Sequence, residues 1–456
     1  MLAGGIGAGA LIALPDLSLA SGPATASARA GSSAASAGSS SRFVLLYGTP
    51  EASSFPGGSA ATALSPTTRS ASLPTARPVA AKLAAAPVAS PDQATVALVT
   101  VNTVTGGATV TLTLVDAATA AVTQQGSVTL TDLADGTNIL AKPVFTPAAG
   151  TVALVLAITQ PGDQRLVTKN DPRTGAAVPM QAVTWTSHHA LAYFDVATGG
   201  FTGPFHLNDA PALALTTAAA NDSDLFLWTT AEPQPDPAGK RRKAAPLPWV
   251  SVFPLGSGRA RLSVPSPGPW PASEPVVTLA SGDVARLVNG RAVQVSSART
   301  AEVTQTTIAP LNVVRAKPSA VTMQARPDGT VFLTKPGIGR AVVADPADSF
   351  RVKSEISFPV PATPLGAPWS KAVLSPSGDT LYVLGGSAAG GLSAYDVATG
   401  ALTTSYSHGV KYAAVYQLPS GTVMAISPVN PRLTFFSPAL SPLGTADTSL
   451  HISAVF

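Results

Sequence analysis

The chain has no cysteine. That excludes disulfides, thiolate nucleophiles, thiolate metal sites and lipid attachment at a cysteine. Charge is scarce too. Asp, Glu, Lys and Arg make up 11% of 456 residues, against about 25% in an ordinary globular protein. The net charge of +4 is thinly spread, and its one dense basic run is Lys240-Arg241-Arg242-Lys243, between Pro233, Pro235, Pro237, Pro246 and Pro248. A nucleic-acid binder carries a basic face, with interleaved aromatics if it takes single strands. This run is instead expected to be a solvated loop tip. A protease-sensitive site, or a contact for an anionic polymer, is the lesser alternative.

Catalytic signatures are missing as well. No Gly-x-Ser-x-Gly elbow, phosphate-binding Gly-x-x-x-x-Gly-Lys-[Ser/Thr] loop or His-Glu-x-x-His pair occurs. Asn221-Asp-Ser-Asp224 is the nearest approach to a calcium loop. It lacks the downstream Gly and Glu, so a turn between two strands is the better reading. No cofactor follows from any motif.

Proline (42) and glycine (39) are abundant, and Val and Thr are frequent. Those prolines and glycines suit many turns and are too numerous for long helices, while Val and Thr suit strands. No stretch keeps a 3.6-residue apolar period with capping signals at both ends. The composition is that of an all-β protein.

One phrase is said twice. Leu191-Ala-Tyr-Phe-Asp-Val-Ala-Thr-Gly199 recurs as Leu392-Ser-Ala-Tyr-Asp-Val-Ala-Thr-Gly400, and Leu112 to Thr119 is a worn copy with Ala120 in place of the glycine. An Asp at a strand end accepts the N–H groups of the following residues, and the Gly supplies a positive φ. Asp195, Gly199, Asp396 and Gly400 therefore read as hairpin residues, not catalytic ones. The best full copy runs from Lys371 to His408: a strand, the Pro376-Ser-Gly378 turn, Thr380–Leu384, a loop, Leu392–Tyr395, the Asp hairpin and Leu402–Tyr406. Four short antiparallel strands in roughly 40–50 residues is the length of a propeller blade.

Ser375-Pro-Ser-Gly-Asp-Thr-Leu-Tyr-Val383 and Tyr395-Asp-Val-Ala-Thr-Gly400 resemble the bacterial YVTN/WD40-like repeat family. Leu384-Gly385 departs from the Thr-Asn that completes that family's signature. The resemblance implies a blade architecture and carries no catalytic residues with it.

First strands are expected near Ala86, Pro143, Ala212, Pro275, Ala320, Lys371 and Tyr412, giving seven full repeats. His451–Phe456 reads as an eighth first strand, with Phe43–Tyr47 as its second and Ala63–Thr68 as its third. The expected fold is thus an all-β propeller of four-stranded antiparallel blades, closed by N- and C-terminal strands. The count is eight blades, with seven as the alternative. Residues 42–456 would form this single domain and 29–41 a Ser/Ala linker.

Residues 1–28 read as a signal peptide. Leu2–Leu14 is apolar but too short and Gly-rich to span a bilayer, and Ala26-Ser-Ala28 suits signal-peptidase cleavage. No positive segment precedes it, so the true start is expected upstream of Met1. The expectation is a secreted or cell-envelope location and no transmembrane span.

The two longest insertions, Gln160–Ser187 and Ala231–Leu247, fall in the second-to-third connections of the second and third repeats. Both should stand on one rim, where binding loops usually lie. His188, His189, His206, His408 and His451 map to that same face. Surface histidines without a ligand are the plain reading, because a metal or acid–base cluster would need strands of different blades to converge. Trp228 reads as core, and Trp270 and Trp369, each beside a proline, read equally as stacking a sugar or as packing against that proline.

The sequence favours a non-catalytic scaffold, expected to be monomeric, that presents loops to a protein or cell-envelope partner and does not bind nucleic acid. The candidate binding residues are His188, His189, His206, Asp209, His408, Lys411 and Lys240–Lys243. The alternative is a lactonase-like or quinoprotein-like propeller enzyme with an axial site, for which Asp209, His206, His408 and Lys411 are the candidates.

Overall fold

Strand composition decides which strands are buried on both faces. Second and third strands are short apolar runs such as Val284–Val288, Val331–Lys335 and Val423–Ile426, and each is buried along its whole length. Fourth strands are rich in Thr and Ser, as in Val303–Thr307 and Leu402–Tyr406, and stay largely exposed. A sheet built this way hides its middle and puts hydroxyl-bearing strands at its outer edge.

The computed structural model describes residues 44–50, 60–64, 77–81, 83–117, 121–170, 177–207, 213–231, 248–265, 275–312, 321–360, 372–384, 391–407, 412–447 and 450–455. Gaps of one to four residues occur inside some of these spans. All of them belong to the compact unit Ser41–Phe456.

Among the described residues the strands form eight four-stranded antiparallel sheets. Seven follow chain order, each with four consecutive strands side by side. Sheet one is Val88–Ala89, Thr95–Val104, Gly107–Asp116 and Val122–Thr131. Sheet two is Asn138–Phe145, Thr151–Asn170, Ala177–Asp195 and Phe201–Leu207. Sheet three is Leu213–Ala220, Asp224–Ala231, Pro248–Pro254 and Leu262–Pro265. Sheets four, five, six and seven begin at Val276, Thr322, Ala372 and Ala414. The remaining sheet joins the two ends of the chain: Leu450–Val455 pairs with Val44–Pro50, which pairs with Ala60–Leu64, which pairs with Arg77–Ala81. Among the described residues there is no α-helix, only three short 3₁₀ turns.

First strands lie against one another from sheet one through sheet five, and again between sheets six and seven, which places them on the inside. Apolar side chains fill the intervals between sheets. Val110, Leu112 and Val128 of sheet one meet Ile139, Leu154 and Phe194 of sheet two. Tyr193 of sheet two meets Leu225 and Phe253 of sheet three. Trp228, buried as expected, packs with Val284 and Val288 of sheet four. Face-to-face antiparallel sheets with first strands inside make a β-propeller.

The first strand of sheet two begins at Asn138, ahead of the expected Pro143. Pro143 lies on the edge strand of its sheet, where proline is best tolerated.

Both kinds of turn at the first-to-second end of the sheets are regular. At the repeated phrase, Asp195 Oδ1 accepts the Thr198 N–H at 2.8 Å, and Asp396 Oδ1 accepts the Thr399 N–H at 2.7 Å. The Thr198 N–H and hydroxyl hold the Asp195 carboxyl below the usual carboxylate range, and the Thr399 hydroxyl and N–H do the same for Asp396. Gly199 and Gly400 take φ of 72° and 70°. The phrase is a hairpin device.

The other turn, between first and second strands, recurs with an N–H to C=O bond at Gln93→Ser90, Ala149→Thr146, Gly282→Leu279, Gly329→Arg326, Gly378→Ser375 and Gly421→Leu418. The donor has positive φ in each of these turns, including non-glycine Gln93 at 58° and Ala149 at 54°.

Candidate binding face

Within the Gln160–Ser187 insertion, residues 160–170 and 177–187 are strand and not loop. The second and third strands of sheet two stay paired from Thr151–Asp195 out to Asn170–Ala177, with one register shift between Val183 and Trp185. Stretches such as Leu166-Val-Thr-Lys169 and Ala182-Val-Thr-Trp185 have β-forming composition and no glycine, which favours a ribbon over a loop.

The first strand stops at Asn138, opposite Thr159, and the fourth stops at Leu207, opposite His189. Beyond those two residues the hairpin continues as a two-stranded arm. Its reach from Gln160 to Asn170 is roughly 34 Å at strand spacing. No third strand pairs with either edge of the arm among the described residues. At its base, Gln160 Oε1 accepts the Ala134 N–H at 3.1 Å.

The second insertion lies outside the described residues from position 232 to 247, and with it Lys240, Arg241, Arg242 and Lys243. Asp209, His408 and Lys411 also lie outside them. His451 sits in the first strand of the terminal sheet, paired with Thr49.

Three predicted residues gather where the arm leaves its sheet. His206 lies opposite Ala190, so alternation puts His188 and His206 on one face and His189 on the other. The His188 and His206 rings are 5.9 Å apart, centre to centre. Burial, then the nearby His206 charge, holds the His188 imidazole below its ordinary value.

Two expectations need correction. His189 is not a surface histidine: it is 3% exposed, because its face of sheet two packs toward sheet three. Burial, then the His188 charge, pushes its imidazole down to about 4. His206 is not near an axis either. It lies on the fourth strand, the one farthest from the ring of first strands. Among the described residues no three His, Asp or Glu side chains come together as metal ligands would.

Two open clefts were not foreseen. One of about 590 Å³ adjoins His206, lined by Pro204, Phe205, Arg259 and the Gly256-Ser-Gly258 turn of sheet three. The other, about 550 Å³, lies among the first turns of sheets two, three and four. It contains the Asn221–Asp224 segment, which is the strand-to-strand turn expected of it. Asp222, Asp283 and Arg299 line this cleft, and Arg261 Nη2 pairs with Asp224 Oδ1 at 3.0 Å. The available signal was charge recurring at turn positions of neighbouring repeats in a chain otherwise poor in charge.

No family model and no curated protein matches the chain. Among solved structures, a candidate 6-phosphogluconolactonase from Bacteroides uniformis matches 91% of this chain and 99% of its own, with 13% identity and a TM-score of 0.41. Hsv2 from Kluyveromyces lactis matches 79% of this chain and 98% of its own, with 8% identity and a TM-score of 0.43. The dihydro-heme d1 dehydrogenase NirN matches 80% of this chain and 73% of its own, with 15% identity and a TM-score of 0.38. Similarity at this level assigns no activity to the chain.

Proposed function

We propose that this chain is an exported, non-catalytic propeller scaffold that binds a protein or cell-envelope partner through the arm of sheet two. The observation that carries this reading is the ribbon beyond Thr159 and His189. Its outward N–H and C=O groups offer the template on which an extended partner segment adds a strand. The four-stranded sheet beneath anchors the base of the ribbon.

Export is supported by the apolar Leu2–Leu14 segment and Ala26-Ser-Ala28. Kinship with YVTN-type repeats is supported by Ser375–Val383 and Tyr395–Gly400.

The test compares the native chain with one in which residues 164–183 are replaced by Asn-Gly, which closes the hairpin near its base. Both are used to capture partners from envelope extract and to co-sediment with isolated cell wall. The shortened chain should keep the native unfolding midpoint and lose the partner. Equal recovery by the two forms would overturn the assignment.

A further inference from the structure

The hairpin between the third and fourth strands of sheet three rests on the fourth strand of sheet two, and the cleft beside Phe205 lies between them. Two contacts fix that arrangement. Tyr193 of sheet two donates its hydroxyl to the Ser257 carbonyl oxygen at 2.9 Å. Gly258 approaches Phe205 so closely that a Cβ there would come within 2.3 Å of Phe205 Cβ. The turn is also closed within itself: the Ser257 N–H donates to the Pro254 carbonyl oxygen at 3.0 Å, and the Arg259 N–H to Ser257 Oγ at 3.1 Å. The cleft of about 590 Å³ is thus held open by fixed contacts between two sheets.

Pro204 and the half-buried Phe205 give it an apolar wall. The Gly256-Ser-Gly258 turn adds no bulky side chain, and a Cβ at Gly256 would meet nothing within 4 Å.

Its charge is of one sign. No Asp or Glu lines it. The hairpin's other arginine, Arg261, is engaged with the buried Asp224 carboxylate. Arg259 lines the cleft, is exposed, and has no ion pair among the described residues. His206 turns its ring to the other face of its strand, beside His188.

A guanidinium is a planar fork that takes a carboxylate through two parallel hydrogen bonds. Next to it here is a flat apolar wall of about the size of one ring. A ligand that uses both is a ring bearing one carboxylate. Because the cleft is open, a unit in the middle of a polymer can enter it without a free end. An acidic peptide carries the charge without a ring to cover Phe205 and Pro204.

We propose that this cleft binds a hexuronate unit of an acidic polysaccharide, with the carboxylate on Arg259 and the pyranose ring against Phe205 and Pro204. The site lies outside the ribbon, so it stands or falls independently of the ribbon's role.

The probe is tetragalacturonate, titrated into the full chain by calorimetry. Its methyl ester keeps the rings without the charge, and tetraglutamate keeps the charge without the rings. Tetragalacturonate should saturate the chain below about 1 mM, and both comparison ligands should bind about tenfold more weakly or not at all. Arg259→Gln should weaken tetragalacturonate binding by about tenfold with the unfolding midpoint unchanged, and Arg259→Lys, which keeps the charge and loses the fork, should fall between. Three outcomes would overturn the proposal: no saturation up to about 10 mM, tetraglutamate binding as tightly as tetragalacturonate, or undiminished binding by Arg259→Gln.

Discussion

Asn221 Nδ2 donates to the carbonyl oxygen of Gly282 at 2.6 Å, tying the first turn of sheet three to that of sheet four. The same side chain shapes its own turn: Asn221 Oδ1 accepts the Ser223 and Asp224 N–H groups at 2.9 and 2.6 Å. On the other side, Asp222 Oδ1 accepts the Ala148 N–H of sheet two at 3.1 Å. One four-residue turn thus fastens three consecutive sheets at the end opposite the arm. Asn221→Ala should cost about 1–3 kcal/mol, since it leaves the buried Asp224 N–H and the half-buried Gly282 carbonyl without their partner. Urea unfolding measures this, and a loss under about 0.5 kcal/mol would show that the bridge holds nothing.

The recurrent first turn makes a paired prediction. Ala149 and Gly421 occupy the same turn position, with φ of 54° and 82°. A Cβ on Gly421 would meet only Pro438 Cγ at 3.7 Å, so space is not the issue there. Gly421→Ala should destabilise by about 1 kcal/mol through backbone strain alone. Ala149→Gly relieves that strain against an entropy cost and should be neutral or stabilising by up to roughly 1 kcal/mol. Thermal unfolding of both variants checks the pair. The same sign of effect in each would contradict the shared geometry.

His189 should make the propeller acid-sensitive. Its folded value of about 4 lies below the ordinary 6.5, so between those values the unfolded chain binds the extra proton. Stability is then fully present above about 6.5 and falls as the pH drops toward 4, by up to roughly 3 kcal/mol from this residue. His188 shifts in the same direction and adds to the loss. His189→Gln should flatten the decline of unfolding free energy between pH 7 and 4. An unchanged slope would place the titration elsewhere.

The hairpin phrase was legible because its chemistry is local. Asp396, Thr399 and Gly400 need no other part of the chain to make their turn. The pairing of Leu450–Val455 with Val44–Pro50 was also legible, since each half reads as an incomplete repeat. The other recurrent turn was hidden where Gln93 and Ala149 replace glycine, because a positive φ at those residues is imposed by flanking strands. Burial of His189 was illegible for a different reason. His188 and His189 are adjacent and chemically identical, and only the packing of sheet three against sheet two separates them. Prolines and charges between Gln160 and Ser187 pointed to a loop, yet the two consecutive strands of sheet two keep pairing out to Asn170 and Ala177 and make a ribbon.

The central claim is that the arm of sheet two is the binding element. Amide hydrogen exchange, with and without the captured partner fraction, tests it most directly. In the free chain, amides at positions 162–168 that point away from the Ala177–Asp195 strand should exchange fast and those facing it slowly. With partner present the fast set should become protected, while the first turns near Asn221 and Gly378 stay unchanged. Protection confined to those turns, with the arm unaffected, would contradict the account.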